Sequence, residues 1–235
     1  MRGLDFAYML EILPDIFKGV PYALLIAGFS IIIGGIIGIF VALIRIFQVP
    51  GLKQLSSVYI AVIRGTPLMV QILVTYYGIP RLLEFVNYKI GTDININTIP
   101  AIYFMFFCFS IYQGSYMSEM FRSCILAVDS GQLEACYSVG MNTRQGLLHV
   151  VFPQAFSTAI PNLGNSFIGL IKDASLAFAV AIPEILGRAK IDAGRSSKFL
   201  EAYIVAAFVY FIICTICQIV LDRIEKSSSI YARRK

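Results

Sequence analysis

Five long apolar runs, separated by short polar stretches, dominate the hydropathy pattern of the chain. They lie near residues 22–44, 55–77, 99–128, 159–186 and 203–221. Since about 20 apolar residues span a hydrocarbon core of about 30 Å, each run predicts a membrane-crossing helix. Within the first run, Gly34 and Gly38 are four residues apart, a spacing that predicts the close approach of another helix. Ahead of it, residues 4–17 place apolar positions at helical spacing among charged ones, which predicts a short helix in the membrane interface.

These runs predict an all-α, polytopic membrane protein surrounded by a lipid bilayer. We divide the 235 residues into an interfacial segment at 1–21, a five-helix transmembrane domain at 22–225 and a basic tail at 226–235. Hydrophobic residues make up 58% of the chain and charged residues 14%, against about 25% charged in a typical soluble domain. The net charge of +5 is scattered, which argues against a nucleic-acid partner. The counts of lysine and arginine leave the orientation in the membrane open.

A polar stretch at residues 129–153 separates the third run from the fourth. Asp129 and Asn142 are each followed three residues later by glutamine, which predicts the capped start of a helix at both places. Gly140 lies between them and predicts a left-handed turn, while Pro153 can open the next helix or break this one. Helices this short are only marginally stable alone, so the segment must pack against another surface. The spacing leaves open whether that is a partner protein or the membrane surface.

Motifs for catalysis and cofactor binding are missing from the sequence. There is no G-x-x-x-x-G-K-[ST] phosphate-binding loop, so ATP is not expected to bind this chain. The single histidine, His149, fits no Ser-His-Asp or Cys-His arrangement. Cys214 and Cys217 have CxxC spacing inside an apolar run with no histidine nearby, so neither a metal site nor a disulfide framework is expected. The chain is expected to be a conduit rather than a catalyst.

Polar residues inside the runs are candidates for function, because an ionised side chain in the bilayer usually faces a cavity or a partner. Glu119 is the leading candidate for a substrate contact, and Ser115 lies one helical turn before it on the same face. The alternative is a structural ion pair between Glu119 and Arg122 at i,i+3 spacing. Thr158 and Asn162 share a face in the fourth run.

The second run is interrupted by four residues, Arg64, Gly65, Thr66 and Pro67. The Gly–Thr–Pro sequence predicts a bend in the helix that leaves backbone carbonyls available. Arg64 is long enough to extend to the membrane interface. A structural and gating role is favoured over direct contact with a substrate.

Residues 134–153 resemble the EAA loop of binding-protein-dependent ABC importer permeases. The resemblance rests on Glu134 and Ala135, then Gly140, then Pro153. Cys136 replaces the second alanine of the family pattern, and phenylalanine precedes the proline. Both departures are small steric changes.

Three further stretches are similar to motifs of the polar amino acid branch of that family. They are residues 64–80, residues 116–122, and residues 172–176 together with the Pro–Glu pair at 183–184. The resemblance therefore covers most of the chain in four ordered motifs. It implies the type I ABC importer permease fold, with five transmembrane helices per subunit.

The resemblance also implies the partners. A second permease subunit would complete a homodimer or a heterodimer, ATP-binding ABC ATPase subunits would carry ATP and magnesium, and an extracytoplasmic amino acid binding protein would deliver the substrate. The N-terminus would lie outside a prokaryotic cell membrane and the C-terminus in the cytoplasm. The residues expected to couple to the ATPase are Glu134, Ala135, Tyr137, Gly140 and Met141.

The expected substrate is a polar or zwitterionic amino acid. The substrate path is assigned to Glu119, Ser115, Thr158 and Asn162. The uncharged Thr158 argues against a cationic substrate, and residues 127–134 resemble cystine permeases. Two alternatives are a membrane assembly protein without a conduit and a self-sufficient secondary transporter, the latter disfavoured by five spans without an internal repeat.

Overall fold

The helices follow the apolar runs closely. The computed structural model describes residues 4–92, 95 and 98–233, with side chains as far as residue 226. Within that part of the chain every element is helical, which confirms the all-α prediction. In chain order the α-helices are α1 (Phe6–Phe17), α2 (Val20–Ile46), α3 (Leu52–Gly65), α4 (Leu68–Ile90), α5 (Ala101–Leu126), α6 (Ser130–Ser138), α7 (Thr143–Gly146), α8 (Phe152–Asp173), α9 (Ile185–Ser196) and α10 (Phe199–Arg233). A π-helical turn, Leu147–Val151, joins α7 to α8, and a 3₁₀ helix, Ala174–Val180, follows α8.

The five predicted crossings correspond to α2, the pair α3 and α4, α5, α8 and α10. By length and composition, three stretches of the described chain can cross a membrane, and the pair α3 and α4, bent by 108°, is a fourth if it forms one span. The α5 helix is not among these four, although its 26 residues span about 39 Å at 1.5 Å per residue. Its second half carries polar side chains such as Gln113 and Glu119, which lower its hydropathy.

Two of the predicted boundaries are wrong. The second run was expected to end near Tyr77, but α4 continues through Pro80 to Ile90 and stops at Gly91, whose φ is 73°. A proline inside a membrane helix is tolerated where neighbouring groups satisfy the freed carbonyl, so Pro80 is no terminator here.

The fourth run is not one helix to residue 186. The α8 helix ends at Asp173, a 3₁₀ helix follows, and the chain turns at Ala181, where φ is 59°. A new helix then starts because Glu184 caps it, accepting hydrogen bonds from the backbone N–H groups of Leu186 and Gly187 at 2.9 and 2.6 Å.

The described chain folds as two compact units that share several helices. The first comprises the chain up to residue 30, residues 66–110 and residues 167–216. The second comprises residues 31–65, residues 111–166 and the chain from residue 217 on.

In the first unit, α1 lies against α9. The Tyr8 hydroxyl donates to the carbonyl of Asp192 at 3.1 Å, and the Lys198 ammonium donates to the Asp5 carboxylate at 2.6 Å. That last hydrogen bond lowers the pKa of the Asp5 carboxyl and raises the pKa of Lys198. The predicted N-terminal helix is present, and polar contacts with α9 and with Lys198, just after α9, hold it in place.

In the second unit, α2 and α5 touch along a line of glycines. A Cβ atom on Gly34 would lie 2.9 Å from the Cβ of Gln113, and one on Gly38 would lie 2.7 Å from the Cβ of Met117. From the other side, a Cβ on Gly114 would lie 2.7 Å from Ile37. The close approach predicted from the Gly34–Gly38 spacing is therefore confirmed, and it fixes the distance between the two helices.

The glycine contact predicts a sharp difference between two alanine substitutions in the same helix. Gly38→Ala forces α2 away from Met117 and should destabilise the protein by about 1–3 kcal/mol. Gly28→Ala is the matched control, because a Cβ there meets nothing within 4 Å. Thermal unfolding in detergent should show a lowered midpoint for Gly38→Ala alone. Equal midpoints for the two variants would contradict the contact.

Candidate functional site

The polar segment between α5 and α8 forms the predicted helix, glycine turn and second helix. Asp129 caps α6 by accepting from the backbone N–H of Gly131 at 2.6 Å. At the other end, Gly140 has φ of 83°, its N–H donates to the carbonyl of Tyr137 at 3.0 Å, and the N–H of Met141 donates to the carbonyl of Cys136 at 3.0 Å. These two bonds are the Schellman pattern that ends a helix at a left-handed residue.

The α7 helix starts with a complete capping box. The backbone N–H of Gln145 donates to the Asn142 side chain at 2.9 Å, and the backbone N–H of Asn142 donates to the Gln145 side chain at 2.9 Å. The two helices of the segment then pack closely at Gly146. A Cβ there would lie 3.0 Å from Leu133 and 3.2 Å from Cys136, so the segment is a folded unit and not an extended loop.

The π-helical turn Leu147–Val151 leads from α7 into α8. It lies directly before Pro153, which cannot donate to the carbonyl four residues earlier and whose ring crowds that carbonyl. A widened turn relieves this clash. Pro153 is thus the second residue of α8, so of the two roles that the sequence left open it takes the one at the start of a helix.

The outer surface of α6 carries most of the residues predicted to couple to an ATPase. Glu134, Ala135, Tyr137 and Gly140 are exposed, while Met141 is half-buried. The Tyr137 hydroxyl lies 3.2 Å from the hydroxyl of Thr143. Sequence reasoning missed Val139, which is 74% exposed beside Gly140 and adds an apolar side chain to this surface. An apolar residue next to a left-handed glycine in a polar segment was the available signal.

Glu119 lies between two arginines. Its carboxylate forms a salt bridge with Arg45 of α2, and the guanidinium of Arg122 is 3.8 Å away. The side chains of Arg45 and Glu119 are 22% and 28% exposed, so the pair is partly removed from solvent. The alternative role of Glu119 in a structural ion pair therefore gains a second and closer partner, Arg45. Sequence reasoning missed Arg45 in this role, and its place in the last turn of an apolar helix was the signal.

The other residues assigned to the substrate path lie on two helices, Ser115 one turn before Glu119 in α5 and Thr158 with Asn162 in α8. Ser115 is fully buried, and its hydroxyl donates to the carbonyl of Tyr112 at 2.8 Å. Thr158 and Asn162 lie on an exposed face of α8, as their i,i+4 spacing predicts. The Thr158 hydroxyl donates to the carbonyl of Gln154 at 3.2 Å. A role in substrate binding stays a prediction for all of them.

Residues 64–67 lie at the break between α3 and α4, which confirms the predicted bend. The guanidinium of Arg64 lies 4.8 Å from the centre of the Tyr116 ring, a cation–π contact with α5. The expectation of available carbonyls is wrong for Thr66, because Gln71 donates to both its carbonyl and its hydroxyl at 2.9 Å. Gly65 and Pro67 are exposed at the break, and a gating role stays a prediction.

The described residues hold no group of three or more histidine, cysteine, aspartate or glutamate side chains that could bind a metal ion. All five cysteines are free thiols.

Comparisons with known proteins agree with this geometry. A permease of Vibrio harveyi, "Probable amino-acid ABC transporter permease protein PatM", is 37% identical over 89% of this chain and 89% of its own. The Bacillus subtilis "L-cystine transport system permease protein TcyB" is 36% identical over 94% and 89%. The solved "Crystal structure of an amino acid ABC transporter with histidines" shares the fold with a TM-score of 0.82 and 30% identity, covering 96% of this chain and 100% of that one.

Fold and segment together define a membrane subunit of an ABC transport system, and not a catalytic subunit. The chain belongs to the family of the binding-protein-dependent transport system inner membrane component, whose model matches residues 10–229. Such systems include an ATPase and a binding protein as separate partners.

The salt bridge predicts strong coupling between Arg45 and Glu119. In a double-mutant cycle of Arg45→Gln and Glu119→Gln, we expect about 0.5–3 kcal/mol of interaction energy, because each single change leaves a partly buried charge without its partner. The measurement is thermal stability in detergent. The control cycle pairs Glu119→Gln with Arg144→Gln, since Arg144 is exposed on α7 and should give additive effects. Additivity in both cycles would refute the pairing.

The capping box predicts a local effect of Asn142→Ala. Loss of the cap should weaken α7 by about 0.5–2 kcal/mol, and amide hydrogen exchange in residues 143–146 should speed up accordingly. Ser138→Ala is the control, because that hydroxyl only donates back to the carbonyl of Glu134 in the same helix. Unchanged exchange in the Asn142→Ala variant would show that the box does not hold the segment.

Proposed function

We propose that this chain is the permease subunit of an ATP-driven importer of polar or zwitterionic amino acids. Support for the substrate class comes from the relatives of the chain, which are named as a probable amino-acid permease and an L-cystine permease. Cystine is one candidate, and the uncharged Thr158 on the exposed face of α8 favours a substrate without net positive charge.

The observation that carries the proposal is the exposed surface of α6. A nine-residue helix is too short to be stable alone, yet here its inner side packs against Gly146 while Glu134, Tyr137 and Val139 face outward. An exposed mixture of apolar, aromatic and acidic side chains on a rigid turn suits docking into a groove of a partner protein. The ATPase subunit is that partner, and the segment passes its movement to α5 and α8.

The remaining partners follow from this assignment. ATP and magnesium bind to the ATPase subunit, a second permease subunit completes the path, and an extracytoplasmic binding protein delivers the amino acid. Docking to a cytoplasmic ATPase requires segment 129–153 to be cytoplasmic. The C-terminus is then cytoplasmic and the N-terminus outside.

Within the membrane, we assign Thr158 and Asn162 as polar groups that line the path on α8. Glu119 and Ser115 support the path from α5. Because Glu119 is bound by Arg45, a substrate ammonium group would have to displace that arginine to reach it. We therefore assign a mainly structural role to Glu119.

Docking predicts that two changes on the segment abolish uptake. Gly140→Asp strains a left-handed turn where φ is 83°, and Glu134→Lys reverses an exposed charge. In membranes that also contain the ATPase subunit, both variants should lose most amino acid uptake and co-purify less ATPase, while remaining folded.

The control is Glu11→Lys, the same charge reversal at an exposed residue of α1. It should leave ATPase capture unchanged. Full capture and full uptake in both loop variants would reject the docking mechanism, whereas full capture with lost uptake would separate docking from transmission.

A further inference from the structure

An apolar cavity of about 410 Å³ lies in the second unit, where the coupling segment enters α8. Its walls come from α2, α5, the π-helical turn and the start of α8, and they are Ile39, Leu43, Phe121, Cys124, Leu148 and Phe156, with four further residues. The cavity is open to the outside, since Leu148 is 50% exposed and Phe156 is 55% exposed. An amino acid with its two charged groups does not fit such walls, because no polar group offers them a partner.

Two arginines and one glutamate form a charged cluster on α2 and α5, two of the helices that line the cavity. Arg122 lies one helical turn before the wall residue Ile125, so the two side chains share a face of α5. Arg45 of α2 joins this cluster through its salt bridge with Glu119. The two arginines share one carboxylate, Glu119, so the cluster carries a surplus positive charge. Arg122 is the looser partner, with its side chain 38% exposed and 3.8 Å from Glu119.

We propose that this cavity binds an anionic phospholipid. One acyl chain fills the apolar groove, and the phosphate pairs with Arg122, which Glu119 neutralises only in part. Charge complementarity selects this occupant over an uncharged lipid, since each arginine near a membrane surface attracts anionic headgroups. Burial of methylene groups against the apolar walls supplies the rest of the affinity.

The site has a structural consequence for the coupling segment. Leu148, Phe152 and Pro153 belong to the π-helical turn and the start of α8, and they form one wall, while α5 forms the other. A bound acyl chain fills the space between these walls, so it stiffens the base of the segment.

The test is lipid binding by the detergent-purified full-length chain, measured by native mass spectrometry during titration. The probes are phosphatidylglycerol and phosphatidylcholine with identical oleoyl chains. We expect phosphatidylglycerol to bind about fivefold more tightly, the ratio that corresponds to about 1 kcal/mol for one arginine. Arg122→Gln should remove this preference and leave phosphatidylcholine affinity within about twofold.

Leu148→Trp fills the cavity from its exposed rim and should weaken both lipids at least about fivefold. The matched controls are Arg144→Gln on α7 and Ile219→Trp on α10, which are exposed and do not line the cavity. Both controls should bind like the unaltered chain, and thermal unfolding should show that every variant is folded.

Several results would overturn the proposal. Equal affinity for the two lipids would remove the role of charge, and unchanged binding by Leu148→Trp would place the lipid elsewhere. Lipid that binds the isolated chain but is expelled from the assembled transporter would mean that another subunit, such as a second copy of this chain, covers the groove.

Discussion

The main constraint on this structure is that a nine-residue helix is not stable alone in water, so neighbouring residues must hold α6 in place. Two glycines meet that constraint. Gly140 supplies the left-handed turn that closes the helix, and Gly146 lets the second helix approach until it contacts Leu133 and Cys136. The result is a closely packed segment whose outer side chains, such as those of Glu134 and Tyr137, are exposed.

The α6 segment transmits movement to the membrane helices only if the helices at its base are also closely packed. The base here is the pairing of α2 with α5, where Gly38 meets Met117 at close range and Arg45 forms its salt bridge with Glu119. In lipid, close backbone contact and polar pairs hold helices together, because apolar surface alone gives them no preference for one another over the lipid. Both contacts lie where α5 leads into the segment.

Local signals in the sequence were sufficient for local structure. Asn142 with Gln145 predicted a capping box, and Gly140 predicted a turn, because both features depend only on neighbouring residues. Contacts between residues far apart in sequence could not be predicted from local patterns, so Arg45 was not connected with Glu119, which lies 74 residues away in the chain. The continuation of α4 through Pro80 could not be predicted for a related reason: whether a helix continues past a proline depends on the groups around it. The substrate-path residues share this difficulty, since lining a path is a property of the assembled transporter.

The most direct test of the central claim is a hydrogen-exchange footprint of the chain with and without its ATPase subunit. We predict that amides of Ser130–Ser138 and of the following turn exchange more slowly in the complex, while amides of α1 exchange at the same rate. Unchanged exchange in α6 with protection confined to other segments would contradict the account.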